Sequence, residues 1–144
     1  MDPKKDGFTL IELLVVVLII GILASAAIPQ YFKVVERTRV AEAKSMFASL
    51  KASQSRAMAK NGVYTNNWDL LDITFQDPSG NTCAGTAECE QRAFAYSLDD
   101  DGTIYAVRKA APAAPAAYGQ YVIIHDINTG EISCTQANCV LDLI

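Results

Sequence analysis

Gly7-Phe8-Thr9-Leu10-Ile11-Glu12-Leu13-Leu14-Val15-Val16-Val17-Leu18-Ile19-Ile20 opens an apolar run that continues to Ala27 and holds one ionisable side chain, Glu12. As a helix, Phe8 to Ala27 would measure about 30 Å, the thickness of a bilayer's hydrocarbon core, so the run permits one membrane crossing. Lys4 and Lys5 precede it in a short polar leader of the kind that stays cytoplasmic. Glu12 needs a reason to be there, because a carboxylate near a bilayer centre costs about 2.5 to 3.5 kcal/mol and less near a helix end. One reason is local. Thr9-Leu10-Ile11-Glu12 spells a capping box, in which the acid closes the first helical turn.

Past Pro29 the helical period resumes, with Ala43, Met46, Phe47, Leu50, Gln54 and Ala57 on one face and Lys44, Lys51, Arg56 and Lys60 on others. Asn61-Gly62 supplies a left-handed stop. A helix from Phe8 to Lys60 would reach about 80 Å, more than a globular core of this size can hide. Its first half is therefore expected to be buried in lipid. Gly21 and Pro29 are its weak points, and flexibility is expected between them.

Beyond Gly62 the period changes to two. Ala93–Leu98 and Thr103–Lys109 flank Asp99-Asp100-Asp101-Gly102, and Tyr118–Asp126 and Glu131–Thr135 flank Ile127-Asn128-Thr129-Gly130. Both read as hairpins, which gives a four-stranded antiparallel sheet. Ile104, Tyr105, Val107, Val122 and Ile124 are the candidates to cover the helix's apolar face. The Ala/Pro stretch 110–117 is an extended connector, and residues 66–90 form the loop between helix and sheet.

At 144 residues, one soluble domain with appendages is the limit. The net charge of −4 conceals an asymmetry. Residues 29–60 hold seven bases and two acids, whereas 61–144 hold eleven acids and three bases. An acidic head repels phosphate, which argues against nucleic acid as a partner. A basic helix thus joins an acidic head, and in any assembly of copies the head of one would lie against the helix bases of its neighbour. The four cysteines form two close pairs, Cys83 with Cys89 and Cys134 with Cys139, and neither has C-x-x-C spacing. Structural disulfides in an oxidising compartment are expected; three connectivities are open, of which neighbour pairing is the simplest.

No converging catalytic set can be nominated, so an enzyme is not expected, nor a cofactor. His125, the only histidine, reads as a solvated or packed strand residue. Asp99-Asp100-Asp101-Gly102 fails the calcium-loop spacing at Ser97 and at Arg108, so it reads as a turn and no metal is expected.

Three readings of the N-terminal run compete. A cleaved secretory signal would use Lys4 and Lys5, then Leu13–Leu23, then Ala24-Ser25-Ala26 as its cleavage site, releasing a secreted soluble domain. An uncut signal anchor is the second. The third comes from resemblance: Gly7-Phe8-Thr9-Leu10-Ile11-Glu12-Leu13-Leu14, with Val15 to Ile28, Pro29 and Tyr31, is similar to the prepilin segment of type IV pilins and type II secretion pseudopilins. The likeness is close over about the first 30 residues and loose over the next 30.

The resemblance implies a pilin-like α+β fold, a long N-terminal α-helix whose first half is transmembrane and whose second half packs on the four-stranded sheet. It implies a leader at 1–7, a transmembrane and filament-core helix at 8–28, its amphipathic continuation at 29–61, and a head at 62–144 comprising the αβ-loop, the antiparallel sheet and a C-terminal disulfide loop. A membrane peptidase would cut after Gly7 and methylate Phe8. Glu12 would then neutralise the new amine of a subunit already in place, an attraction of roughly 4 kcal/mol at about 4 Å before desolvation. The subunit would wait in the bacterial inner membrane, single-pass with its head outside the cytoplasm, and end in an extracellular or periplasmic helical filament of its own copies or related pilins. A type II secretion pseudopilin and a DNA-binding competence minor pilin are the family alternatives. Major pseudopilins often hold calcium and lack disulfides, so the four cysteines lean toward a pilin.

Overall fold

The longest element of the computed structural model is α1 (Leu10–Asn61), a helix of 52 residues. Residues 8–110, 115 and 117–144 are described; the predicted leader with Gly7, and connector residues 111–114 and 116, lie outside them. The chain divides into two compact units, one ending at Val35 and one running from Glu36 to Ile144.

In the first unit the helix begins at its capping box and stays helical through Gly21 and Pro29. Its large apolar side chains, from Leu10 through Ile28, are exposed. This is a segment long and apolar enough to cross a membrane, and none of its most apolar window is buried.

In the second unit, Glu36, Val40, Ala43, Phe47, Leu50, Gln54 and Ala57 recur at steps of three and four and are buried. That stripe meets a five-stranded antiparallel sheet of consecutive strands. The strands are β1 (Cys89–Glu90), β2 (Phe94–Leu98), β3 (Thr103–Arg108), β4 (Val122–Asp126) and β5 (Ile132–Cys134). The four-strand expectation is therefore corrected to five. β1 pairs Cys89 with Tyr96 and Glu90 with Ala95 at the sheet edge, and two residues are too few to show a period of two. A short helix, α2 (Ala137–Asp142), follows β5 within the C-terminal loop.

Which face of each strand turns inward also differs from expectation. Of the five nominated core residues only Ile104 is fully buried; Tyr105, Val107, Val122 and Ile124 are half-buried on the opposite face. Ala106, Arg108, Ile123 and His125 take the inner positions instead. Both parities of β3 and β4 carry apolar residues, so alternation alone does not choose between them. The choice falls to what the helix offers. The inner parity places Arg108 against Glu36 and sets the small Ala106, beside Tyr96 in the register, under the helix.

Loop 66–90 is held by side chains. Asn67 caps the 3-10 turn Trp68–Leu70, accepting from the Asp69 N–H at 2.9 Å. Trp68 donates its indole N–H to the Ala87 carbonyl at 2.8 Å and packs edge-on against Phe75. Gln54 closes the helix side, donating to the Thr65 carbonyl at 2.5 Å and accepting the Thr65 N–H at 3.0 Å. Gly62, at φ 78°, ends α1 with its N–H on the Met58 carbonyl.

Candidate assembly site

At the start of α1 the capping box is formed in both directions. Glu12 Oε2 accepts from the Thr9 N–H at 2.9 Å and from the Thr9 hydroxyl at 2.5 Å, while the Glu12 N–H donates to Thr9 Oγ1 at 3.3 Å. Two orphan backbone donors at the helix start, the N–H groups of Thr9 and Glu12, are thereby satisfied, and the carboxylate is aimed back toward Phe8, which is exposed. This arrangement holds a carboxylate in the first turn of α1, close to Phe8. Gly7, the nominated cleavage position, lies outside the described residues. Gly21 and Pro29 sit within helical backbone.

A second charged cluster organises the head, and the sequence reading missed it. Glu36 is fully buried, and Arg108 and Tyr121 are each 1% exposed. Arg108 donates from Nε to Glu36 Oε1 at 2.6 Å and from Nη2 to Oε2 at 3.3 Å. Tyr121 donates its hydroxyl to Oε1 at 2.6 Å, and Arg39 donates to Oε2 at 2.8 Å. The remaining Arg108 nitrogen serves the carbonyls of Ala93 and Lys109, and its guanidinium lies over the Phe94 ring. Burial pushes the Glu36 carboxyl up, but the donors from Arg108, Tyr121 and Arg39 together outweigh it and hold it below its ordinary value. Burial and the adjacent carboxylate push the Tyr121 phenol well up. The group is a charged pin between helix and sheet. Its sequence signal was slight: an acid at 36, one step of four before Val40 on the apolar stripe.

The helix bases are partly spent at home. Arg37 donates to the Asp142 carbonyl at the end of α2, Arg39 serves Glu36, and Arg56 grips Asp72, which also accepts from Ser53 at 2.6 Å. Those donors hold the Asp72 carboxyl far below the usual range.

The other nominated residues have structural employment. Cys83 and Cys89 form one disulfide and Cys134 and Cys139 the other. His125 is packed, stacked on Phe47 with ring centroids 5.6 Å apart, and burial lowers its pKa. Asp99 and Asp101 accept backbone N–H groups of their own turn, from Asp100 and Thr103. Among the described residues no group of three or more potential metal ligands is found.

An exposed apolar helix, long and apolar enough to cross a membrane, together with a helix-on-sheet head pinned by a buried ion pair defines an α+β chain of pilin-like architecture. The model of the prokaryotic N-terminal methylation motif matches residues 2–28. The chain is 54% identical over 135 residues to a fimbrial protein of Pseudomonas aeruginosa, covering 90% of this chain and 84% of the relative. It is 36% identical over 96 residues to the type IV major pilin protein PilA of Myxococcus xanthus, covering 63% of this chain and 43% of that relative's length. It is also 33% identical over 78 residues to the type II secretion system core protein G of P. aeruginosa, covering 54% and 55%. The chain belongs to the type IV pilin and pseudopilin family.

Proposed function

We propose that this chain is a structural subunit of a type IV pilus-like filament, assembled after cleavage behind Gly7 and N-methylation of Phe8. The observation that carries the reading is the N-terminal end of α1, where Glu12 is held by Thr9 beside Phe8 at the head of an uncovered apolar helix. Cleavage creates a cationic amine one residue before Thr9, and methylation keeps it cationic. An incoming Glu12 then neutralises the amine of a subunit already in place, so only cut subunits enter the filament. Residues 8–28 provide the membrane and filament-core segment, 29–61 its amphipathic continuation, and 62–144 the head, with Gly21 and Pro29 as the points where the helix yields. Before assembly the subunit is held in the bacterial inner membrane with its head outside the cytoplasm, and afterwards it lies in an extracellular filament. Its role is structural rather than catalytic, and its partners are its own copies or related pilins and the processing peptidase.

Intact mass and N-terminal sequencing of the mature protein test this. A methylated Phe8 is expected; an N-terminus at Ala27 would make the chain a secreted soluble domain, and one at Met1 an uncut anchor. A secretion pseudopilin is the second reading, favoured by the likeness to core protein G. The two disulfides weigh for the pilus.

A further inference from the structure

We propose that the lipid-spanning segment of this subunit runs from Leu13 to Pro29, with Glu12 in one phospholipid headgroup layer and Tyr31 and Phe32 anchoring the helix in the other. The inference rests on the membrane reading above and gives it a register. Hydropathy by itself selects Phe8 to Ala27, centred between Val17 and Leu18. The structure moves that centre to Gly21, about 5 Å along the axis.

Four observations carry the shift. At the first end, Glu12 and Thr9 form a charged, hydrogen-bonded turn, which belongs in a hydrated layer rather than in hydrocarbon. At the other end, Pro29 has no N–H to offer the Ser25 carbonyl, and the Ser25 hydroxyl is committed to the Ile22 carbonyl at 2.7 Å. A carbonyl without its helical donor is costly in lipid and readily hydrated at an interface. Tyr31 and Phe32 follow directly, 65% and 51% exposed, with their rings edge-on at 5.8 Å. An exposed phenol beside an exposed apolar ring suits the headgroup layer, where the ring body meets acyl chains and the hydroxyl meets water. Finally, Ile28 shares their face at steps of three and four and is also exposed. Leu13 to Pro29 is 17 residues, about 26 Å as a helix, which is short but within the spanning range and accommodated by local thinning of the bilayer.

The test is a depth profile. Ile11→Cys, Leu14→Cys, Ile22→Cys and Gln30→Cys are made singly in the full chain, where the four native cysteines are held in disulfides. Each is nitroxide-labelled and reconstituted at low density in phosphatidylcholine/phosphatidylglycerol vesicles, and accessibility to oxygen is compared with that to a water-soluble nickel complex. Position 22 is expected to be deepest, with 11 and 30 similarly shallow at the two interfaces. A profile in which 14 is at least as deep as 22, 11 lies in hydrocarbon and 30 is the most water-exposed overturns the register while leaving the membrane reading intact. Labels that all report water overturn both. A Tyr31→Ala/Phe32→Ala background is expected to move the depth maximum toward Leu18, and a profile unchanged by it refutes the anchoring role.

Discussion

Replacing Arg108 with Met removes the cation that the head buries against Glu36, and the structure sets the size of the effect. The Glu36 carboxylate accepts four hydrogen bonds, two of them from Arg108, so the variant leaves it with only Tyr121 and Arg39. Breaking one partner out of a buried ion pair costs about 3 to 5 kcal/mol. Because two donors remain, the lower end applies to the carboxylate. The Ala93 and Lys109 carbonyls also lose their guanidinium donor, adding roughly 1 kcal/mol. A loss of about 4 kcal/mol is a large part of a domain stability of about 5 to 15 kcal/mol. With a urea slope of about 2 kcal/mol/M, the unfolding midpoint would fall by roughly 2 M. The assay is urea unfolding of the full chain in detergent, followed by near-ultraviolet circular dichroism, which reads the aromatic head. Arg108→Met combined with Glu36→Gln removes both charges and is expected to cost about 2 kcal/mol less than the two single changes summed. A midpoint shift below about 0.5 M, or strict additivity in the double variant, refutes the pin. The pH dependence has a definite sign. A carboxyl held below its ordinary value of 4.5 contributes stability above that pH and loses it as pH falls through the native pKa. Wild type and Glu36→Gln should therefore converge in stability only below about pH 4.5.

Gly102→Ala is expected to destabilise the head by roughly 2 kcal/mol, because Gly102 has φ 92° and a Cβ there would lie 2.6 Å from the Tyr64 ring; thermal melting checks it. Removing the Cys83–Cys89 disulfide by double substitution to Ser should cost about 2 kcal/mol, since it closes a loop with a sequence separation of only 6; denaturant titration against wild type reads this. Burial lowers the His125 pKa, so the unfolded chain binds the proton first and wild type should lose stability as pH falls below 6.5. His125→Phe, which preserves the stack on Phe47, should show a flatter dependence when melting points at pH 7.5 and 5.5 are compared. Glu12→Val should leave a folded, membrane-inserted subunit that enters filaments poorly when co-expressed with wild type; equal incorporation would remove the assembly role.

Covalent order and local periodicity were enough to determine the apolar run, its capping box, the stop at Asn61-Gly62 and the two hairpin turns, because each depends on residues within a few positions of one another. They also determined the family likeness, which rests on contiguous residues from Gly7 onward. The tertiary structure decided what depends on distant partners. Both parities of β3 and β4 were apolar enough to face inward, and the inner one was selected by Glu36, 72 positions from Arg108 along the chain. β1, the strand beyond the four expected, exists because β2 offers it an edge, and its two residues have no period of their own. A lone acid on an apolar helical stripe reads as an irregularity in the sequence. Only when burial had removed water from Glu36, and packing had brought Arg108, Tyr121 and Arg39 around it, did that acid become the charge that holds helix and sheet together.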